Sequence, residues 1–189
     1  MDTSISRIAY VGCGLGGKLT SVISMLTRAQ QPIPAPETRL LTEQNDFALP
    51  RSNGDVVHLQ LAIASRRGMD DGYDPTRADC HPSIAWEIDR AAEADGLVFV
   101  IDCRIGRESA NLYHREKLRR DLASRGVDID RKPIVFQANK RDLAEVVPMS
   151  WISENFRVPR CTYVESVATS HVGTLEAMRE LLRLIGRIS

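Results

Sequence analysis

Gly12-Cys13-Gly14-Leu15-Gly16-Gly17-Lys18 sets glycines and one lysine at the spacing G-x-x-x-x-G-K. The chemistry such a run can do is to hold a phosphate, as a P-loop does. Glycines let successive backbone N–H groups curl around an oxyanion with no Cβ in the way. The run follows the apolar stretch Ile8–Val11 and precedes a helical pattern, so a helix N-terminus adds its dipole and Lys18 is expected to reach the terminal phosphates. A glycine-rich turn with a chance lysine is the bland alternative; the strand–loop–helix setting favours the phosphate loop. One position departs from the pattern. The residue after the lysine ordinarily offers a Ser or Thr hydroxyl to a magnesium ion, and here it is Leu19. Thr20 does not replace it, because one step along a helix turns a side chain through about 100°, although it remains a candidate donor to an inner phosphate. The phosphate loop thus lacks the usual magnesium ligand, and no metal ligand is assigned.

The second chemical motif is Asn139-Lys140-Arg141-Asp142, directly after the apolar run Ile134–Ala138. Its N-K-x-D pattern resembles the guanine-specificity motif of the Ras-like GTPase superfamily. A fixed carboxylate at Asp142 accepts hydrogen bonds from the N1 and N2 donors of guanine; adenine lacks that pair and would leave the carboxylate unsatisfied, at a cost of a few kcal/mol. The resemblance further implies that the Lys140 stem lies along the base and that Asn139 ties the motif back to the phosphate loop. It also implies that the turn Glu165-Ser166-Val167-Ala168-Thr169 offers the Ala168 N–H to the guanine O6, with Thr169 beside it.

The elements that must position these residues alternate. Strands are expected at 8–11, 56–64, 97–101, 134–138 and 161–165, and helices after the glycine run and over about 83–94, 108–125, 149–156 and 172–186, from apolar runs and helical periodicity. Leu19, Val22, Ile23 and Leu26 share one face of the first helix, and Val172, Leu175, Met178, Leu182 and Ile185 form a stripe on the last. Pro32–Pro36 reads as a surface loop, and residues 65–82 as a long polar one. Strands that alternate with helices predict an α/β fold: one doubly wound, mostly parallel sheet with helices on both faces, in a single domain spanning residues 1–189. Ligands of such sheets sit at the carboxyl ends of the strands.

Composition narrows the function classes. The 189 residues carry 25 Lys and Arg against 25 Asp and Glu, which gives no global attraction to nucleic acid or an anionic membrane. No apolar run reaches the roughly 18 residues of a membrane span, and neither a secretory leader nor a lipidation motif is read at the termini. Cys13, Cys80, Cys103 and Cys161 are scattered, as in a reduced, cytoplasmic protein. His58, His81, His114 and His171 share no metal-ligand spacing. Arg115, Lys117, Arg119 and Arg120 alternate with Glu116 and Asp121 and read as a solvated face, while Trp86 and Trp151 read as packing residues. Cys13, at a helix N-terminus, is a candidate for oxidation and more simply a tolerated small residue.

Within the superfamily the sequence is similar to the bacterial MglA-type, Arf-like GTPases. The likeness rests on the loop at 12–18, on Asp95-Gly96-Leu97-Val98-Phe99-Val100-Ile101-Asp102, on Val135-Phe136-Gln137-Ala138-Asn139-Lys140-Arg141-Asp142-Leu143, and on Val167-Ala168-Thr169-Ser170-His171-Val172-Gly173. It covers most of 7–30 and 94–186 and is poor across 31–93. It implies a P-loop NTPase fold of the Ras-like kind, with GTP or GDP as ligand. A protein effector, or a regulator of the Roadblock/LC7 type, is the implied partner. The poor stretch holds the expected switches. Thr38 and Thr42 are switch candidates by location alone. No D-x-x-G follows the 56–64 strand, and Met69 stands near where a water-orienting glutamine is expected. Asp70, Asp71, Asp74 and Asp79 are conceivable metal ligands and Arg51, Arg66 and Arg67 conceivable cis arginine fingers. No catalytic residue is assigned. The expected activity is weak or partner-dependent hydrolysis of GTP to GDP. A pseudo-GTPase scaffold is the first alternative, favoured by Leu19 and the missing D-x-x-G; a small-substrate phosphotransferase is the second, opposed by Asn139–Asp142.

Overall fold

The structure, a computed structural model, describes residues 5–35, 45–50, 56–63 and 82–188, with the side chains of 82–87 left aside. Strands β1 (Ser6–Gly12), β2 (Asn45–Pro50), β3 (Val56–Ile63), β4 (Gly96–Asp102), β5 (Ile134–Asn139) and β6 (Cys161–Glu165) form one sheet in the order β2-β3-β1-β4-β5-β6. Helices α1 (Lys18–Arg28), α2 (Pro82–Glu93), α3 (Glu108–Ala123), α4 (Met149–Asn155) and α5 (Thr174–Leu184) connect or follow them. Every pairing is parallel except β2 with β3.

Successive strand side chains point to opposite faces, and the apolar residues sort accordingly. Ile8, Tyr10, Val98 and Val100 join Val22, Met25 and Leu26 of α1 and Leu175, Met178 and Leu181 of α5 in one core. Ala9, Val11, Leu97, Phe99 and Ile101 join Ala91 of α2, Leu122 of α3 and Ile152 of α4 in the other. Strands covered on both faces have no polar side to show, which is why β4 is buried along its whole length. The doubly wound α/β prediction is thereby met, and β1, β4 and β5 end side by side at one edge.

Three local expectations change. The strand β2 was not anticipated. It is an edge strand that buries Phe47 and Leu49 alone on its inner face and ends in Pro50, a residue that edges tolerate. Val172 fits the helical stripe in spacing but precedes the helix: it bridges back to Val167 and is 56% exposed, because Gly173 caps α5 in the left-handed conformation (φ 76°). For the first helix the expected stop lies near Gln31-Pro32, whereas α1 ends at Arg28, with Gln30 left-handed. Along α3 the charged residues pair on the surface, Lys117 with Asp121 at 2.6 Å and Arg119 with Glu116 at 2.7 Å, as a solvated face does. Trp151 packs against the second core, its ring 5.9 Å from Phe156; Cys13 and Cys103 are buried free thiols and Cys161 is half-buried. Thr38, Thr42, Arg51, Arg66, Arg67, Met69, the aspartates at 70, 71, 74 and 79, Cys80 and His81 lie outside the described residues, as does the Trp86 side chain. No helix among the described residues is long and apolar enough to cross a membrane.

Candidate functional site

The phosphate loop leaves β1 at Gly12 and enters α1 at Lys18. Two of its glycines are required by geometry. At Gly12 (φ 128°) a Cβ would run into the Val100 carbonyl, and at Gly17 (φ 100°) into the Asn139 side-chain amide. Each loop carbonyl from Gly12 to Gly16 accepts a hydrogen bond from a side chain. Lys18 Nζ donates to Gly12 O and Cys13 O, both at 2.9 Å. Arg107 Nη2 donates to Gly14 O at 3.0 Å, Lys140 Nζ to Leu15 O at 2.8 Å and Asn139 Nδ2 to Gly16 O at 2.9 Å. Because a trans peptide sets C=O and the following N–H on opposite sides, the carbonyls of Gly14, Leu15 and Gly16, held by side chains of other segments, leave the amides that follow them turned the other way. The Gly14, Leu15 and Gly17 N–H groups have no acceptor among the described residues, and α1 starts without a side-chain cap. Unsatisfied amides at a helix N-terminus form an anion cradle. The residues present therefore fit a nucleotide's phosphates.

They do not fit magnesium in the same way. Leu19 is half-buried against the first core and carries no oxygen. The one hydroxyl beside it, on Thr20, lies one step round the helix and is exposed.

The Asn139–Asp142 segment is fixed to this loop. Asn139, 2% exposed at the end of β5, uses both ends of its amide: Nδ2 on Gly16 O, and Oδ1 accepting from Ala168 N–H at 3.1 Å and Ser166 Oγ at 3.2 Å. One side chain thus joins the glycine-rich loop, the end of β5 and the turn after β6. In this arrangement the Ala168 N–H is turned to Asn139. Asp142 is exposed at the rim and Thr169 is exposed beside Ala168. Beneath them lies a buried polar floor. Gln137 Nε2 donates to Ser21 Oγ at 2.8 Å and Ser166 Oγ at 3.0 Å, and Ser24 meets Thr174 at 2.7 Å.

Sequence reasoning missed the centre of the arrangement. Asp102, fully buried at the end of β4, receives Arg104 Nη2 at 2.7 Å and Lys140 Nζ at 3.0 Å, with Arg107 Nε 3.5 Å away. Burial alone would raise its carboxyl pKa, but the hydrogen bonds from Arg104 and Lys140 outweigh it and hold the group below the usual carboxylate range. Asn111 of α3 brackets the same residue, accepting from Asp102 N–H at 3.1 Å and donating to Asp102 O at 2.8 Å. The available signal was positional: a carboxylate at the carboxyl end of a wholly apolar parallel strand, where ligands of such sheets gather.

Comparison with known proteins agrees with this architecture. No family model matches the chain. Over 188 residues it is 34% identical to the Mutual gliding-motility protein MglA of Myxococcus xanthus (strain DK1622), an alignment that covers 95% of this chain and 89% of the relative. With a glycine-rich loop joined to an N-K-x-D segment on a six-stranded, mostly parallel sheet, the chain belongs to the MglA-type Ras-like small GTPases.

Proposed function

We propose that this GTPase-family chain is a guanine-nucleotide switch whose hydrolysis of GTP is slow or depends on a partner. Gly12, Gly14, Leu15, Gly16, Gly17 and Lys18 cradle the phosphates, with Thr20 donating to an inner one. Asp142 reads the N1 and N2 donors of guanine. Lys140 lies along the base, Asn139 fixes the two halves together, and Ala168 and Thr169 close the O6 side. The observation that carries the reading is the Asn139 side chain. It bonds Gly16 O and the Ala168 N–H at once, and this tie between the loop and the turn after β6 supports a single site for phosphate and base.

Hydrolysis, where it occurs, is in-line attack of water on the γ-phosphate. Leu19 in place of a hydroxyl supports a low intrinsic rate, and the same observation favours a second reading, a pseudo-GTPase that works as an interaction scaffold. A protein effector or a Roadblock/LC7-type regulator is the partner suggested by the family, and the cytoplasm is the proposed location. The test is a titration of nucleotide-stripped protein with fluorescent GDP, GTP and ATP, with and without magnesium, followed by single-turnover hydrolysis. Guanine-selective binding that survives a chelator, with turnover that stays slow, is the expected result. Binding of adenine and guanine alike would defeat the base-reading assignment, and no binding at all would leave the scaffold.

A further inference from the structure

Leu15 is a strained residue in an exposed place. Its φ is 60° and its side chain is 83% exposed, so neither glycine's freedom nor apolar packing accounts for its left-handed backbone. Such a conformation persists only where its surroundings over-determine it. The two peptide planes that flank Leu15 are both held. Arg107 Nη2 takes Gly14 O, in the peptide before it, and Lys140 Nζ takes Leu15 O, in the peptide after it. Both cations are in turn referred to the same buried oxygen, Asp102 Oδ2. Lys140 itself has φ 69°, so the arrangement braces two left-handed residues from one carboxylate.

We propose that Arg107 is a positioning residue of the phosphate loop: working from Asp102 as a common anchor with Lys140, it holds the Gly14–Leu15 peptide so that the Leu15 N–H faces the bound phosphate. The phosphate end and the base end of the site are thereby coupled through Asp102. Arg104 has a different part. Its guanidinium takes both Asp102 oxygens, Nε at 3.1 Å and 3.2 Å and Nη2 at 2.7 Å, keeping the carboxylate satisfied while Arg107 reaches across to the loop. The part of this proposal that concerns the phosphate rests on the guanine-nucleotide reading; the bracing of the loop does not.

Cys13 supplies a reporter that needs no nucleotide. Its thiol is buried, donates to Asn111 Oδ1 at 3.2 Å and lies 3.9 Å from Arg107 Nη2. Cys103 is equally buried, and burial pushes its thiol up to about 11, so it serves as the control for general loosening. Site-resolved alkylation of nucleotide-free wild type, Arg107→Met and Arg107→Lys, read by mass spectrometry, tests the brace. Release of fluorescent GDP from the same three proteins tests its effect on the ligand. Arg107→Met should open Cys13 to alkylation while Cys103 stays protected, and should speed GDP release roughly tenfold to a hundredfold, the loss of one charge-assisted hydrogen bond. Arg107→Lys, which keeps a cation able to bridge as Lys140 does, should restore much of both. Cys13 staying protected in Arg107→Met, with unchanged release, would overturn the proposal, and so would equal labelling of Cys13 and Cys103. If the wild type binds no guanine nucleotide while Cys13 exposure still follows Arg107, the brace stands and only the guanine reading falls.

Discussion

Replacing Gly17 by alanine should cost the fold several kcal/mol, while the same change at Gly14 should cost almost nothing. At Gly17 the backbone sits at φ 100°, and an added Cβ collides with the Asn139 amide. The backbone term is about 1–2 kcal/mol for an L-residue forced into a left-handed region. Relief of the collision must displace Asn139 Nδ2 from Gly16 O, where it bonds at 2.9 Å in a buried setting, and an orphaned buried polar group adds about 1–3 kcal/mol. The sum, about 2–5 kcal/mol, is a large share of the 5–15 kcal/mol that ordinary domains possess. At Gly14 the φ is not positive and a Cβ meets nothing within 4 Å, so the change should stay within about 0.5 kcal/mol of neutral. Urea unfolding of nucleotide-free protein measures both through the midpoint at constant m-value. A double-mutant cycle with Asn139→Ala then separates the two terms: with the amide gone, Gly17→Ala should retain only its backbone cost. A loss below about 1 kcal/mol for Gly17→Ala, or an equal loss for Gly14→Ala, would refute this account of the loop.

Three further outcomes follow from the same geometry. Leu19→Thr should give the loop its missing hydroxyl, making GDP affinity roughly tenfold more dependent on magnesium and costing about 1–2 kcal/mol of stability from lost half-buried packing; nucleotide titration with and without chelator reads the first, urea unfolding the second. Asp142→Ala should abolish the preference for guanine over adenine nucleotides while leaving the unfolding midpoint unchanged, because the carboxylate is exposed; competition titration with GDP and ADP checks it. Asp102→Asn should destabilise by about 2–3 kcal/mol at neutral pH. The Asp102 carboxyl is depressed in the folded state, so its contribution is full above the ordinary value of about 3.9 and is lost as pH falls through the lower folded value. The gap between wild type and Asp102→Asn should therefore be constant above about pH 5 and close below about pH 4, measured by urea unfolding across that range.

The motifs were legible because their residue types are costly to place without a purpose. A seven-residue run with four glycines and a lysine, or Asn-Lys-Arg-Asp at the end of an apolar strand, has few structural uses. Likewise β4 and β5 announced themselves as unbroken apolar runs. Edge strand β2 did not, because among the described strands it pairs on one side only and needs just Phe47 and Leu49 to face inward. Arg107 was hidden for another reason. Its partner Gly14 lies 93 residues away, and locally it is one more basic residue opening a charged helix. Only the sheet order, which sets β1 beside β4, brings the two together. Asn139 was within reach because its role came with its motif, whereas Asp102 belonged to a motif that named no role for it.

Among the described residues, the sheet divides the interior into two apolar compartments with no buried residue in common. That partition makes the molecule modular in a thermodynamic sense. A change in packing under α1 and α5 should add to one under α2, α3 and α4 with little cross-talk. At the carboxyl edge, where Arg107 and Asn111 at the start of α3 bond the loop that opens α1, the two layers meet and their energetics should couple.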